Sequence, residues 1–153
     1  MVALDEFERI LQLVKDPEAR ESAERLRGVV WEMIAAHFHP GTGQWAGPQS
    51  RAYHDWLHRD ALVRLNWRLG KPLKTELRES EDKLRPMFPD LVEAIPCPGH
   101  LKERFFQLPQ DPLIYEGTLR QEESGFSIKE TNWFSEEACL GSASRSPFWI
   151  QTR

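Results

Sequence analysis

The sequence predicts an α+β fold: an N-terminal helical layer of about four helices packed on a small C-terminal antiparallel sheet. Two patterns predict it. Over residues 1–95, apolar residues recur at three- and four-residue steps, the period of helices with one covered face. Over residues 100–153, short runs rich in aromatic and β-branched residues alternate with turn residues, as strands and their connections do. At 153 residues, 40% hydrophobic and 29% charged, the chain is long enough to bury one core. No repeat or flexible linker divides it, so residues 1–153 are expected to form a single domain.

The first helix is expected from about Asp5 to Lys15, with Leu4, Phe7, Ile10, Leu11 and Val14 on one face. Asp16 and Pro17 then mark a stop and a restart, because aspartate caps a helix and proline suits its first position. The second helix should reach about Phe38 and turn Ala23, Leu26, Val30, Met33, Ile34 and His37 inward. His39-Pro40-Gly41 ends it, and a loop is expected to Gln49. Ser50 caps a third helix running to Leu69, closed by Gly70 and Pro72, with Leu62 and Leu65 buried and Arg64 and Arg68 exposed. A fourth helix is expected over Leu73–Leu84, followed by a stretch broken by prolines. Strands are expected at Arg104–Leu108, Leu113–Arg120, Phe126–Trp133 and Pro147–Thr152, with a hairpin connection at Glu122–Gly125. Ser135–Leu140 reads as a short helical turn.

The formal charge of −4 argues against general nucleic-acid binding, which calls for a basic surplus. The start of the chain has no apolar signal core, and no apolar run approaches the ~20 residues that span a bilayer. Cys97 and Cys139 stand far apart in no paired-ligand spacing. A cytoplasmic protein without a membrane anchor is the expectation.

Charge is unevenly spread. Between Arg51 and Arg78 seven bases face three acids, whereas Met1–Glu24 and Glu116–Glu137 are acidic. The bases Arg59, Arg64, Arg68 and Lys71 are therefore candidate partner-binding residues, for an acidic protein surface or a phosphate-bearing ligand. Six Trp and eight Phe add rings of the kind enriched where proteins meet.

Four of the five histidines, His37, His39, His54 and His58, lie in one short window. His54 and His58 are one helical turn apart and continue into Leu62, Leu65 and Leu69, so both should face inward. If the second and third helices form an antiparallel hairpin, His37 comes to the same end. Converging neutral imidazoles suit a divalent metal of the zinc, iron or manganese kind, given a carboxylate to complete the set. The same residues also suit a hydrogen-bonded polar end of a helical core.

The segment Tyr53-His54-Asp55-Trp56-Leu57-His58 resembles the Tyr-His-Asn-Trp-x-His segment of cyclic-nucleotide phosphodiesterases and related HD-superfamily phosphohydrolases, over about twenty residues. The resemblance implies a general-acid role for His54 and a metal-site role for His58; the hairpin placement adds His37 as a candidate ligand. The family's His-Asp doublet has no counterpart downstream of His58, and strands do not belong to its all-helical fold.

No Walker loop, dinucleotide glycine fingerprint, paired-cysteine zinc site or serine-nucleophile elbow occurs. Two functions follow. The first is a small protein-binding or modulator module that acts through an aromatic and charged surface. The alternative is a metal-assisted hydrolase of a phosphoester or nucleotide. An exposed aromatic patch would favour the first, and converging histidines with a carboxylate the second.

Overall fold

The structure is a computed structural model that describes residues 2–46, 59–73, 93–121 and 127–144. It has the α+β arrangement expected: helices mostly in the N-terminal part and, among the described residues, a three-stranded antiparallel sheet toward the C-terminus.

Helix α1 spans Val2–Leu13 and α2 spans Pro17–His37. Asp16 caps α2, its carboxylate accepting from the Glu18 and Ala19 amides at 2.9 and 3.3 Å, and Pro17 opens the helix. The inward face of α2 is Ala23, Arg27, Trp31 and Ala35, and not the stripe through Leu26 and Met33 that the apolar spacing predicts. The reason is Arg27. Its Nη2 donates to the carbonyls of Ile95 and Pro96 at 3.0 and 2.6 Å, and its Nε lies 3.7 Å from Glu8. With those partners a guanidinium is stable inside, and the helix turns about its axis to bring it there.

After α2 the chain forms a two-residue ladder, β1 (Phe38–His39) against β2 (Gln44–Trp45), where an open loop was expected. Helix α3 is described over Arg59–Leu69 and ends, as the sequence predicts, at Gly70 with φ +70°. Leu62 and Leu65 are buried, as expected. The expected helix over Leu73–Leu84, the strand Pro147–Thr152 and the connection Glu122–Gly125 lie largely or wholly outside the described residues.

The short helix α4 (Gly99–Lys102) runs into a 3₁₀ turn at Glu103–Phe105, in place of the strand expected at Arg104–Leu108. Adjacent Phe105 and Phe106 look strand-like in sequence, but Phe105 is drawn into the helical core, 5.9 Å from Trp31 and 5.5 Å from Phe38 between ring centroids. Strands β3 (Leu113–Gln121), β4 (Ser127–Phe134) and β5 (Cys139–Ala143) form the sheet in that order, each pair antiparallel. β5 replaces the helical turn expected at Ser135–Leu140; only Ser135–Ala138 bend, with the Ser135 amide donating to the Ala138 carbonyl at 2.8 Å.

The main core holds Leu4, Trp31, Ala35, Phe38, Leu62, Leu65, Leu69, Leu73, Leu101 and Phe105. Beside it lies a buried ion cluster. Arg68 grips Glu8 with two bonds, Nε to Oε1 at 2.9 Å and Nη2 to Oε2 at 2.6 Å, and reaches Asp5 at 2.7 Å. Arg64 pairs with Asp5 as well. These contacts join α1 to α3.

Candidate functional site

Three-residue rows run across the sheet, because the register of both ladders is known. On the inner face Tyr115, Asn132 and Gly141 stand in line, as do Gly117, Glu130 and Ala143. Alternation along β4 sends Ile128, Glu130, Asn132 and Phe134 inward, and all four are buried. This face meets the C-terminal end of α2.

His37 sits at that junction. Its Nδ1 donates to the Met33 carbonyl at 2.6 Å, one turn back on α2, and its Nε2 meets Glu130 Oε2 at 2.8 Å. Tyr115 packs beside it with ring centroids 6.2 Å apart. Burial, with the charges of Glu130 and Glu32, pushes the Tyr115 phenol above its ordinary range. Gly117 leaves room for this group: a Cβ there would lie 2.8 Å from the Tyr115 hydroxyl and 3.0 Å from Glu130 Oε1.

His39 is fully buried and held on every side. Its Nε2–H donates to the Ser135 carbonyl at 2.7 Å, while Nδ1 accepts from the Thr42 amide at 2.8 Å, which fixes the tautomer. The ring stacks on Phe134 at 6.0 Å with an interplanar angle of 6°. Gly41 is required beside it, since a Cβ would approach the Glu136 carbonyl to 2.5 Å. Arg104 lies over the Phe134 ring at 4.9 Å, and burial pulls its pKa down to about 10. Its two terminal nitrogens, and both polar atoms of Asn132, are buried without a hydrogen-bond partner among the described residues.

These contacts bear on the histidine cluster. A carboxylate does reach His37, but Glu130 comes from 93 residues away and occupies the ring nitrogen a metal would need. Among the described residues no group of three or more His, Cys, Asp or Glu side chains is arranged to hold a metal ion. His54 and His58 lie outside the described residues.

The basic residues are placed differently from the expectation of an exposed patch. Arg68 is 4% exposed and tied to Glu8 and Asp5, and Arg64 is largely covered against Asp5. Glu8 and Asp5 on α1 offer fixed counter-charges, so these arginines satisfy one another's helices instead of facing solvent. The charges of Glu8 and Asp5 outweigh the opposing effect of burial and hold the Arg68 pKa above its ordinary value. Lys71 is exposed, lies over the Phe106 ring at 3.7 Å and stands 3.9 Å from Glu103. The Arg59 side chain lies outside the described set.

Cys97 and His100 do not form a pair. The thiol is buried and its pKa is pushed up to about 11 by desolvation, whereas His100 is exposed and lies 3.1 Å from Glu32.

The outer face of the sheet carries what sequence reasoning missed. Ile114, Trp133 and Leu140 lie directly across from one another on the three strands. They are 56%, 38% and 69% exposed, and the next row, Glu116, Thr131 and Ser142, is polar. The signal was present in the alternation of β4: with Glu130 and Asn132 inward, Trp133 must face out.

No protein-family model matches this chain, and neither a curated protein nor a solved structure matches it. Among the described residues, no helix is long and apolar enough to cross a membrane.

Proposed function

We propose that this protein is a binding module that docks another protein on the outer face of its sheet. The observation that carries the reading is the cross-strand row Ile114–Trp133–Leu140. Neighbours directly opposite on a sheet have Cβ atoms about 4.5–5.5 Å apart, so the three side chains form one continuous apolar strip. An exposed aromatic ring at the centre, apolar neighbours on both sides and a polar row beyond is the usual layout of a protein interface. The partner would present an apolar anchor across the strands. Arg64 and Arg68 support such a function indirectly, by holding the helical layer together.

The hydrolase alternative rests on His54 and His58. Elemental analysis of the purified protein separates the readings: about one equivalent of zinc, iron or manganese per chain would shift the assignment to it.

The docking face is tested by affinity capture from an extract of cells that make the protein, followed by titration of the purified captured protein. Leu140→Glu and Ile114→Ser should each weaken that binding at least about tenfold, or about 1.4 kcal/mol. Hydrogen exchange in the complex should slow along β4 and β5. Capture that survives both substitutions unchanged would overturn the reading, as would protection confined to other elements.

A further inference from the structure

The rotation of α2 that buries Arg27 and Trp31 leaves a second apolar stripe on the solvent side of the same helix. Leu26, Val29 and Met33 are 41%, 51% and 45% exposed, and Ser22 and Ala36, both half-buried, extend the line at its ends. The steps from Ser22 through Leu26, Val29 and Met33 to Ala36 are four, three, four and three residues. That is the seam of a coiled coil, with Leu26 and Met33 at one core position of the heptad and Val29, Ser22 and Ala36 at the other. A globular helix facing water has no need of a second seam opposite its buried face.

The stripe is also nearly the same read in either direction. Val29 is central, Leu26 and Met33 flank it, and the small residues Ser22 and Ala36 close the ends. On one flank of the seam stand Arg25 and Glu32, seven residues apart, one before and one after Val29 and offset from it by four and three residues. Both are exposed. Glu32 lies 3.1 Å from the exposed His100, and Arg25 has no partner among the described residues.

From this pattern the geometry points to a second copy of this chain as the occupant, docked on α2 in antiparallel orientation. A two-fold axis passing near Val29 would set each Arg25 beside Glu32 of the other copy, two ion pairs from one symmetry operation. A parallel pairing would instead set Arg25 against Val30, which is apolar and half-buried in its own protomer, and Glu32 against His37, whose ring is already held by Glu130. Charge complementarity therefore selects both the partner and the direction. The seam is short, so the dimer should be weak and its population should depend on concentration.

Sedimentation velocity over a range of concentrations tests this with the whole chain. The wild-type protein should shift from monomer to dimer, and Val29→Glu, which sets two carboxylates face to face on the axis, should remove the dimer. Arg25→Glu should weaken self-association at least about tenfold, because two carboxylates then meet at each flank, and Glu32→Arg should do the same with two guanidinium groups. Mixing these two variants should restore a dimer of one copy of each, since both flanking pairs are then opposite in charge. That recovery cannot come from misfolded protein. A monomer at all concentrations would overturn the inference, and so would a mixture no more associated than its components. A dimer abolished by Leu140→Glu but indifferent to Val29→Glu would also overturn it, by assigning self-association to the sheet.

Discussion

At the scale of single residues, the most consequential feature is the amount of charge kept inside. Glu8, Arg27 and Arg68 are all buried, and the cluster is stable only because each charge meets another. Removing one member is therefore worse than removing two. Arg68→Met should destabilise the fold by about 3–5 kcal/mol, since it leaves Glu8 buried without its two strongest bonds. Combining it with Glu8→Leu should cost clearly less than the sum of the single changes, as read from urea denaturation midpoints. Equal additivity would show the cluster to be solvated. Cys97 gives a pH test. Its pKa lies at about 11 in the fold against an ordinary 9.0, so the folded state holds the proton more tightly than the unfolded chain. That contribution is fully present below pH 9.0 and is lost as pH rises through about 11. It is at most about 2.7 kcal/mol, the equivalent of two pKa units. Cys97→Ala should flatten the fall in stability over that window, measured by denaturation at pH 8 to 11. An unchanged slope would assign the fall to other groups.

At the scale of elements, what was legible in the sequence was the local chemistry. Asp16 and Pro17 mark the start of α2 and Gly70 marks the end of α3, because caps and left-handed backbone depend on one or two residues. Asp16→Ala should accordingly cost about 0.5–2 kcal/mol, measured by thermal or urea unfolding, with the capped amides of Glu18 and Ala19 exchanging faster. No loss beyond 0.3 kcal/mol would mean the helix start is fixed by packing alone. Orientation was less legible. The stripe through Leu26, Val30 and Met33 is a sound apolar face, yet α2 buries the one through Arg27 and Trp31. An arginine counts as a surface residue until its acceptors are known, and here they are carbonyls 68 and 69 positions away. Similarly, Phe105 reads as strand but is claimed by Trp31 and Phe38. The pairing of His37 with Glu130 was hidden for the same reason, although the alternation from Ile128 to Phe134 already placed Glu130 inward.

At the scale of the molecule, the two parts are joined by chemistry of different kinds. Among the described residues, the main buried cluster draws on the helices, the first ladder and the segment around Cys97 to Phe105, and includes none from β3, β4 or β5. The described contacts that attach the sheet are His37–Glu130, the His39 bond to Ser135, the stack of His39 on Phe134, and Arg104 over the same ring. A small sheet depends for its stability on an apolar face or on the layer it packs against, and the contacts at this junction are mainly polar, each hydrogen bond contributing only about 0.5–1.5 kcal/mol net. The sheet should therefore open at a lower free energy than the helical part. Native-state hydrogen exchange under increasing denaturant should show amides of β3–β5 exchanging through a sub-global opening, while those of α2 and α3 wait for global unfolding. Glu130→Ala provides the sharper form of the test. It leaves His37 Nε2 unpaired at a largely covered junction, at a cost of about 1–3 kcal/mol. That loss should lower the opening free energy of the sheet and leave the residual protection of α1–α3 almost intact. If the substitution lowers both by the same amount, the polar junction is as cooperative as the core, and the sheet and helices unfold as one body.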